Sequence, residues 1–245
     1  MKRLRAQLSA DPRVLTSLPL EIDPDEVLRF QGYKKSGEPP GPDVRALFDE
    51  ALALGRRLID PRAVLRWLPV TARGADTIEA GGVLLTIPDV GRLWGPVDWI
   101  AAAVCTIGDG LENRVAELWT ARELPLAAML DSVGSGAVES LAEHVNDLLC
   151  QETIALGLPV TNRVSPGYGR WDVSDQRALF ALCGGQAIGV RLNEACFMTP
   201  VKSISLLAAA GAGARVDHYF SQCARCWMAG CAYRRTPAGG TVRHS

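Results

Sequence analysis

A helical pattern runs from Leu126 to Leu156, and an element of that length limits what a chain of 245 residues can build around it. At 1.5 Å per residue it is a rod of roughly 45 Å. Asp131, Glu139, Glu143 and Asp147 alternate with its apolar positions, so one side is wet and the other packs. Gly134 and Gly136, inside the pattern, either weaken it as a helix or mark close packing of another element. With 48% hydrophobic and 22% charged residues, the chain can bury a sizeable core around such a rod. Its length suits one α/β domain, or a small domain beside a larger one.

The rest of the chain is punctuated by turn residues. Leu20 to Glu26 is an extended entry in which Asp23-Pro24-Asp25-Glu26 suits a helix start. Lys34 to Pro42 reads as a loop, and Asp43 to Ile59 as an amphipathic helix. Ala63 to Val70 and Thr77 to Ile87 are two β-rich runs around a polar turn, which predicts a hairpin. Trp99 to Thr106 is continuously apolar and fits a buried strand or a strand entering a helix. Leu111 to Trp119 is helical. After Leu158-Pro159 comes a loop-rich stretch, then a short helix from Ser174 to Leu182 with Ser174 as N-cap. A strand is expected over Ile188 to Leu192, and a frayed tail over Thr236 to Ser245.

Charge and hydropathy narrow the partners. A net charge of −1 with no run of one sign argues against non-specific nucleic-acid binding. The basic start, Met1-Lys-Arg-Leu-Arg, is not followed by an apolar segment of signal length. The longest soft apolar stretch, Ile204 to Ala214, falls short of the roughly 18 residues that a spanning helix needs. The expectation is a cytoplasmic protein without a membrane or nucleic-acid partner. Thr106-Ile107-Gly108-Asp109-Gly110 lacks the lysine of a phosphate loop.

The chain has seven cysteines, three of them in Cys223-Ala-Arg-Cys226-Trp-Met-Ala-Gly-Cys231. In a reducing compartment Cys-x2-Cys-x4-Cys is a metal-binding pattern, suited to an iron–sulfur cluster or to zinc. A fourth ligand is open between Cys196, which comes first, His218, which would give a Cys3His zinc set, and an unfilled iron position. Trp227, between two of these cysteines, is expected to shield the site. Cys105, Cys150 and Cys183 read as buried small apolar residues. Glu139 and Glu143, one helical turn apart, read as a solvated face.

Arg163-Val-Ser165-Pro166-Gly167-Tyr168, then Leu179-Phe180, Ile188-Gly-Val-Arg-Leu-Asn-Glu194, Met198-Thr-Pro200 and Ser203, resembles the reactivation (activation) domain of vitamin B12-dependent methionine synthase. The likeness covers roughly the C-terminal third. The Cys-x2-Cys-x4-Cys ending with Tyr233 and Arg234 looks more like the free-standing relatives of that domain. Gly169-Arg-Trp-Asp-Val173 departs from the family's Pro- and His-containing stretch.

The resemblance implies an α+β fold, with a twisted antiparallel sheet and long helices packed to one side. The expected division is an N-terminal α/β region with a helix and hairpin over residues 1–100, which the resemblance hardly covers, an activation-domain-like core with the cysteine cluster over 101–235, and a flexible tail over 236–245. The resemblance also implies a site for S-adenosylmethionine, in which Arg163 holds the carboxylate, Ser165, Pro166 and Gly167 offer main-chain contacts, and Tyr168 closes over the ligand. Glu194 is the candidate for the ammonium or sulfonium. The family re-methylates cob(II)alamin, so cobalamin or another corrinoid is an implied cofactor. A corrinoid protein or cobalamin-dependent methyltransferase and an electron-donor protein are the implied partners. An iron–sulfur cluster, of the 4Fe-4S type, on Cys223, Cys226, Cys231 and Cys196 would relay the electron, since zinc carries none. Whether this chain transfers the methyl group itself stays open. A corrinoid-binding accessory protein, or a zinc-stabilised domain that docks on a methyltransferase, are the alternatives.

Overall fold

The computed structural model describes Leu8 and residues 11–33 and 39–216. Its frame is an antiparallel sheet built from β1 (Arg13–Thr16), β2 (Arg62–Arg73), β3 (Thr77–Ala80), β4 (Val83–Thr86), β5 (Trp99–Thr106) and β8 (Ser203–Ala210). A separate two-stranded hairpin pairs β6 (Arg191–Leu192) with β7 (Met198–Thr199). In the main sheet β4, β3, β2, β5 and β8 follow one another, and β1 is also held by β2. The long strand β2 makes this possible. Its first residues pair β1, its last pair β3 after a register shift between Val70 and Ala72, and its other edge takes β5.

β5 is buried along its whole length because both faces are covered. Trp99, Ala101, Ala103 and Cys105 point into one core, and Ile100, Ala102 and Val104 into the other. Two buried faces remove the alternation that usually marks a strand, which is why periodicity alone left this segment ambiguous. The division expected between residues 100 and 101 falls inside β5. β5 pairs β2 on one side and β8 on the other, so sheet and core run across it.

The first core lies under α1 (Pro24–Phe30), α2 (Pro42–Leu58), α4 (Gly110–Thr120) and α5 (Leu124–Ile154). α5 lies over β5 and β8, where Ala101, Ala103, Ala208 and Ala210 belong to the same core, small side chains that allow a close approach. Of the two readings of its glycines, close packing is the one that holds. A Cβ on Gly134 would stand 2.7 Å from Leu111 Cδ2 of α4, and one on Gly136 2.9 Å from Val27 Cγ2 of α1. The second core lies under α3 (Val90–Trp94) and α6 (Gln176–Cys183). The fold is therefore α+β, a curled antiparallel sheet with its longest helices on one side. Among the described residues no helix is long and apolar enough to cross a membrane.

Local chemistry explains where elements differ from expectation. The run from Thr77 to Ile87 is two strands, because Gly81 and Gly82 both take positive φ and turn the chain between β3 and β4. Ser174 is not the cap of the short helix. The Asp172 carboxylate accepts from the Ser174 N–H at 2.8 Å and caps a 3₁₀ turn, Val173–Asp175, that leads into α6. The strand expected over Ile188 to Leu192 shrinks to β6, because Gly185–Ile188 form a second 3₁₀ turn and Gly189 has φ 81°. At the N-terminal end of α1 the Asp23 carboxylate accepts from the Asp25 N–H at 2.9 Å, so the Asp-Pro-Asp-Glu signal does open a helix.

Candidate functional site

The Arg163 turn is fixed along the free edge of β8. Thr161 N–H donates to Ala209 C=O, and Val164 exchanges both main-chain bonds with Leu207, each at 2.8 Å. Between these anchors Asn162 and Arg163 leave the ladder, and the Arg163 side chain reaches α5. Its Nη2 donates to Glu139 Oε2 at 2.8 Å and to Glu143 Oε1 at 2.8 Å, and Nε donates to Glu143 Oε1 at 3.3 Å. The arginine side chain is 13% exposed, Glu139 21% and Glu143 58%. Burial works against the guanidinium charge, but the two carboxylates outweigh it and hold the arginine pKa above its usual value. Glu139 and Glu143 are thus partners of the turn, where the sequence reading made them a solvated face. Their spacing of one helical turn was the visible signal, and the missing part was the tertiary contact with Arg163.

On its other side the Glu139–Glu143 pair lines a groove of about 550 Å³, closed by Pro19, Leu20, Glu21, Asp23 and Glu26 and continued along α5 by His144 and Asp147. Six carboxylates line it, so its field favours a cation. None of the N-terminal residues in this wall was singled out from sequence. Asp23 and Glu26 looked only like a helix start.

Ser165, Pro166, Gly167 and Tyr168 continue from Arg163 into a tight turn. Gly167, at φ 87°, donates its N–H to Trp171 C=O at 2.9 Å, a conformation that L side chains rarely adopt. A small depression is lined by Ile87, Pro88, Val164, Ser165, Tyr168, Gly169 and Trp171. Ser165 is 4% exposed there and its hydroxyl has no hydrogen-bond partner among the described residues, whereas Tyr168 is 48% exposed.

The other predicted residues stand apart. Glu194 is exposed on the β6–β7 hairpin, lines neither cavity, and its carbonyl accepts from Arg177 Nη2. Cys196, on the same hairpin, is 4% exposed with φ 64°, and its Sγ lies 3.9 Å from Ser174 O. Cys223, Cys226, Cys231 and His218 lie outside the described residues. Among the described residues no three His, Cys, Asp or Glu side chains are grouped to hold a metal ion. Burial pushes the thiols of Cys105 and Cys183 up to about 12, so at neutral pH both are protonated core residues rather than thiolate ligands. Cys150 is only half-buried.

No protein-family model matches the chain, and no curated protein does. Among solved structures it is similar to the crystal structure of the MetH reactivation domain bound to AdoHcy. The TM-score is 0.62 at 14% identity, over 88% of this chain and 83% of that one. The chain therefore shares the fold of the MetH reactivation domain over most of its length.

Proposed function

We propose that this chain is a free-standing reactivation-domain-like protein that binds S-adenosylmethionine and supports the reductive re-methylation of cob(II)alamin. The observation that carries this reading is the buried Arg163, held on the edge of β8 and flanked by a carboxylate-lined groove, within a fold shared with a domain crystallised with AdoHcy. S-adenosylmethionine carries a carboxylate, an ammonium and a sulfonium. Arg163 takes the carboxylate through its planar fork, and Glu139 and Glu143, freed in part by that exchange, face the ammonium. The six carboxylates of the groove favour the sulfonium over the neutral thioether of AdoHcy, which helps product release. Main-chain groups of Ser165, Pro166 and Gly167 contact the rest of the ligand, and Tyr168 closes over it. Glu194 has no part in this arrangement unless the hairpin moves.

The reaction this site supports transfers a methyl group from S-adenosylmethionine to cobalt and adds one electron, leaving AdoHcy. An iron–sulfur cluster on Cys223, Cys226, Cys231 and Cys196 would supply that electron singly, from a reduced donor protein, and the corrinoid would arrive on a corrinoid protein or cobalamin-dependent methyltransferase. Cys196 fits the ligand set in its chemistry: it is a shielded thiol, 4% exposed, whose sulfur lies 3.9 Å from the Ser174 carbonyl oxygen.

Calorimetric titration with S-adenosylmethionine, AdoHcy and cobalamin tests the binding half. The expected result is tighter binding of S-adenosylmethionine than of AdoHcy. Cobalamin binding with none of S-adenosylmethionine would turn the reading to a corrinoid-carrying accessory protein. Iron, sulfide and zinc analysis after anaerobic purification tests the redox half, and stoichiometric zinc without iron would leave a zinc-stabilised docking domain instead.

A further inference from the structure

The bridges that tie the Arg163 turn to β8 are out of step. Val160 pairs Ala210 and Val164 pairs Leu207, both antiparallel, so the turn advances four residues while β8 advances three. One residue is extra, which is what a β-bulge inserts. In an unbroken ladder counted from Val160, Arg163 would stand opposite Leu207, and residues opposite each other share a face. Leu207 points into the second core, under α3 and α6, so the guanidinium would be turned away from α5. The extra residue gives that place to Val164, which is 6% exposed in the same core as Leu207. Arg163 is left to the α5 side, where Glu139 and Glu143 take it. The anchor of the ligand turn is therefore aimed by a register step.

A hydroxyl holds the step in place. Thr161 N–H donates to Ala209 C=O at 2.8 Å, and in a regular pair the Thr161 carbonyl would accept from Ala209 N–H in return. Here the Thr161 hydroxyl accepts that bond instead, at 3.0 Å, and donates to the Asn162 carbonyl at 3.3 Å. The main chain is thereby free to leave the ladder after Thr161 without orphaning a donor on β8. Thr161 is 2% exposed and Ala209 fully buried, so without the hydroxyl the Ala209 N–H would lack a partner that water cannot replace. The simplest way to recover one is for the turn to fall back into register, which takes Arg163 off α5.

We propose that Thr161 is the positioning residue of the ligand turn: its hydroxyl replaces a main-chain acceptor on the edge of β8, holds the one-residue step, and so keeps Arg163 on the α5 side. This rests on reading Arg163 as the carboxylate anchor for S-adenosylmethionine. Thr161 touches no ligand in this arrangement and acts only through Arg163. Valine has the shape of threonine without the hydroxyl, and serine has the hydroxyl without the methyl, so the two exchanges separate the bond from the packing.

The test is calorimetric titration of S-adenosylmethionine into the full chain and its variants. Thr161→Val weakens binding about tenfold, the loss expected when an anchor is no longer held in its bound position. Thr161→Ala, which removes the hydroxyl and adds nothing that could clash, gives the same loss. Thr161→Ser, which keeps the hydroxyl, binds within about twofold of the native chain. In the Arg163→Met background Thr161→Val weakens binding no further, because the two positions act through one contact. Equal weakening in both backgrounds, native affinity in the valine and alanine variants, or no rescue by serine overturns the proposal. Urea denaturation of the native chain, the two single variants and the double variant separates the positioning from the function. Thr161→Val lowers the midpoint more in the native chain than in Arg163→Met, since there it also loosens the pairs with Glu139 and Glu143. That coupling in a chain that binds no S-adenosylmethionine defeats the function and leaves the positioning standing. Additive midpoint shifts defeat the positioning, whatever the chain binds.

Discussion

The Arg163 turn, bonded to the edge of β8, and the Cys196 hairpin, a two-stranded sheet of its own, are built in opposite ways. The turn is tied to β8 by main-chain bonds on both sides of Arg163, and its side chain is fixed by two carboxylates of α5. The hairpin has two-residue strands, an exposed Glu194, and a cysteine at φ 64°. A ligand that must be held in one orientation needs the first kind of support, because a charge kept in place beforehand loses little freedom on binding. A hairpin of the second kind has few internal contacts to lose when another segment settles on it.

The largest effect expected is at Arg163. Arg163→Met leaves Glu139, 21% exposed, beside Glu143 with no cation between them. The cost in stability is about 2 kcal/mol, below the range for a wholly buried pair because Glu143 is 58% exposed. Urea denaturation measures it. S-adenosylmethionine affinity falls by about 100-fold in the same variant, as for a lost charge-assisted bidentate contact. Arg163→Lys separates the two roles. It keeps the charge, restores most of the stability, and still weakens binding about tenfold, since an ammonium cannot make the fork. If the lysine variant bound as tightly as the native chain, Arg163 would be a brace for α5 and not the carboxylate anchor.

The two glutamates divide next. Glu139→Gln costs about 1 kcal/mol, because the less exposed carboxylate depends more on its pair, and Glu143→Gln costs about half of that. Equal costs would show that exposure does not set the strength of these pairs. In titration Glu143→Gln weakens S-adenosylmethionine more than AdoHcy, because the sulfonium is the charge that distinguishes them.

Much of the frame was legible in the sequence. The helical pattern from Leu126 to Leu156 appears as α5, Leu124–Ile154, and Gly134 and Gly136 mark its contacts with α4 and α1. These signals are local, so sequence carries them. β8 was not legible, because Leu206 to Ala210 is covered on both faces and its alanines look like any small-residue stretch. The role of Glu139 and Glu143 was not legible either. Twenty or more positions separate them from Arg163, and only the sheet edge brings them together. The motif at Arg163 was visible as a resemblance, and the groove wall at Glu21, Asp23 and Glu26 was visible only once α1 met α5.

The smallest effect expected is on the hairpin, and it sharpens the contrast by its sign. Cys196 holds φ 64°, which costs a non-glycine residue about 1 kcal/mol, and glycine would relieve that. Removing the buried thiol loses a contact of similar size. Cys196→Gly therefore changes the stability of metal-free protein by no more than about 0.5 kcal/mol, the difference of two opposed terms. If Cys196 is a cluster ligand, the same variant retains less than half the iron of the native chain after anaerobic purification, while its S-adenosylmethionine affinity stays within twofold. A full iron complement in Cys196→Gly would pass the fourth position to His218 or to an open site. A large loss of stability would instead make the hairpin as firmly built as the Arg163 turn, and the contrast between the two regions would fail.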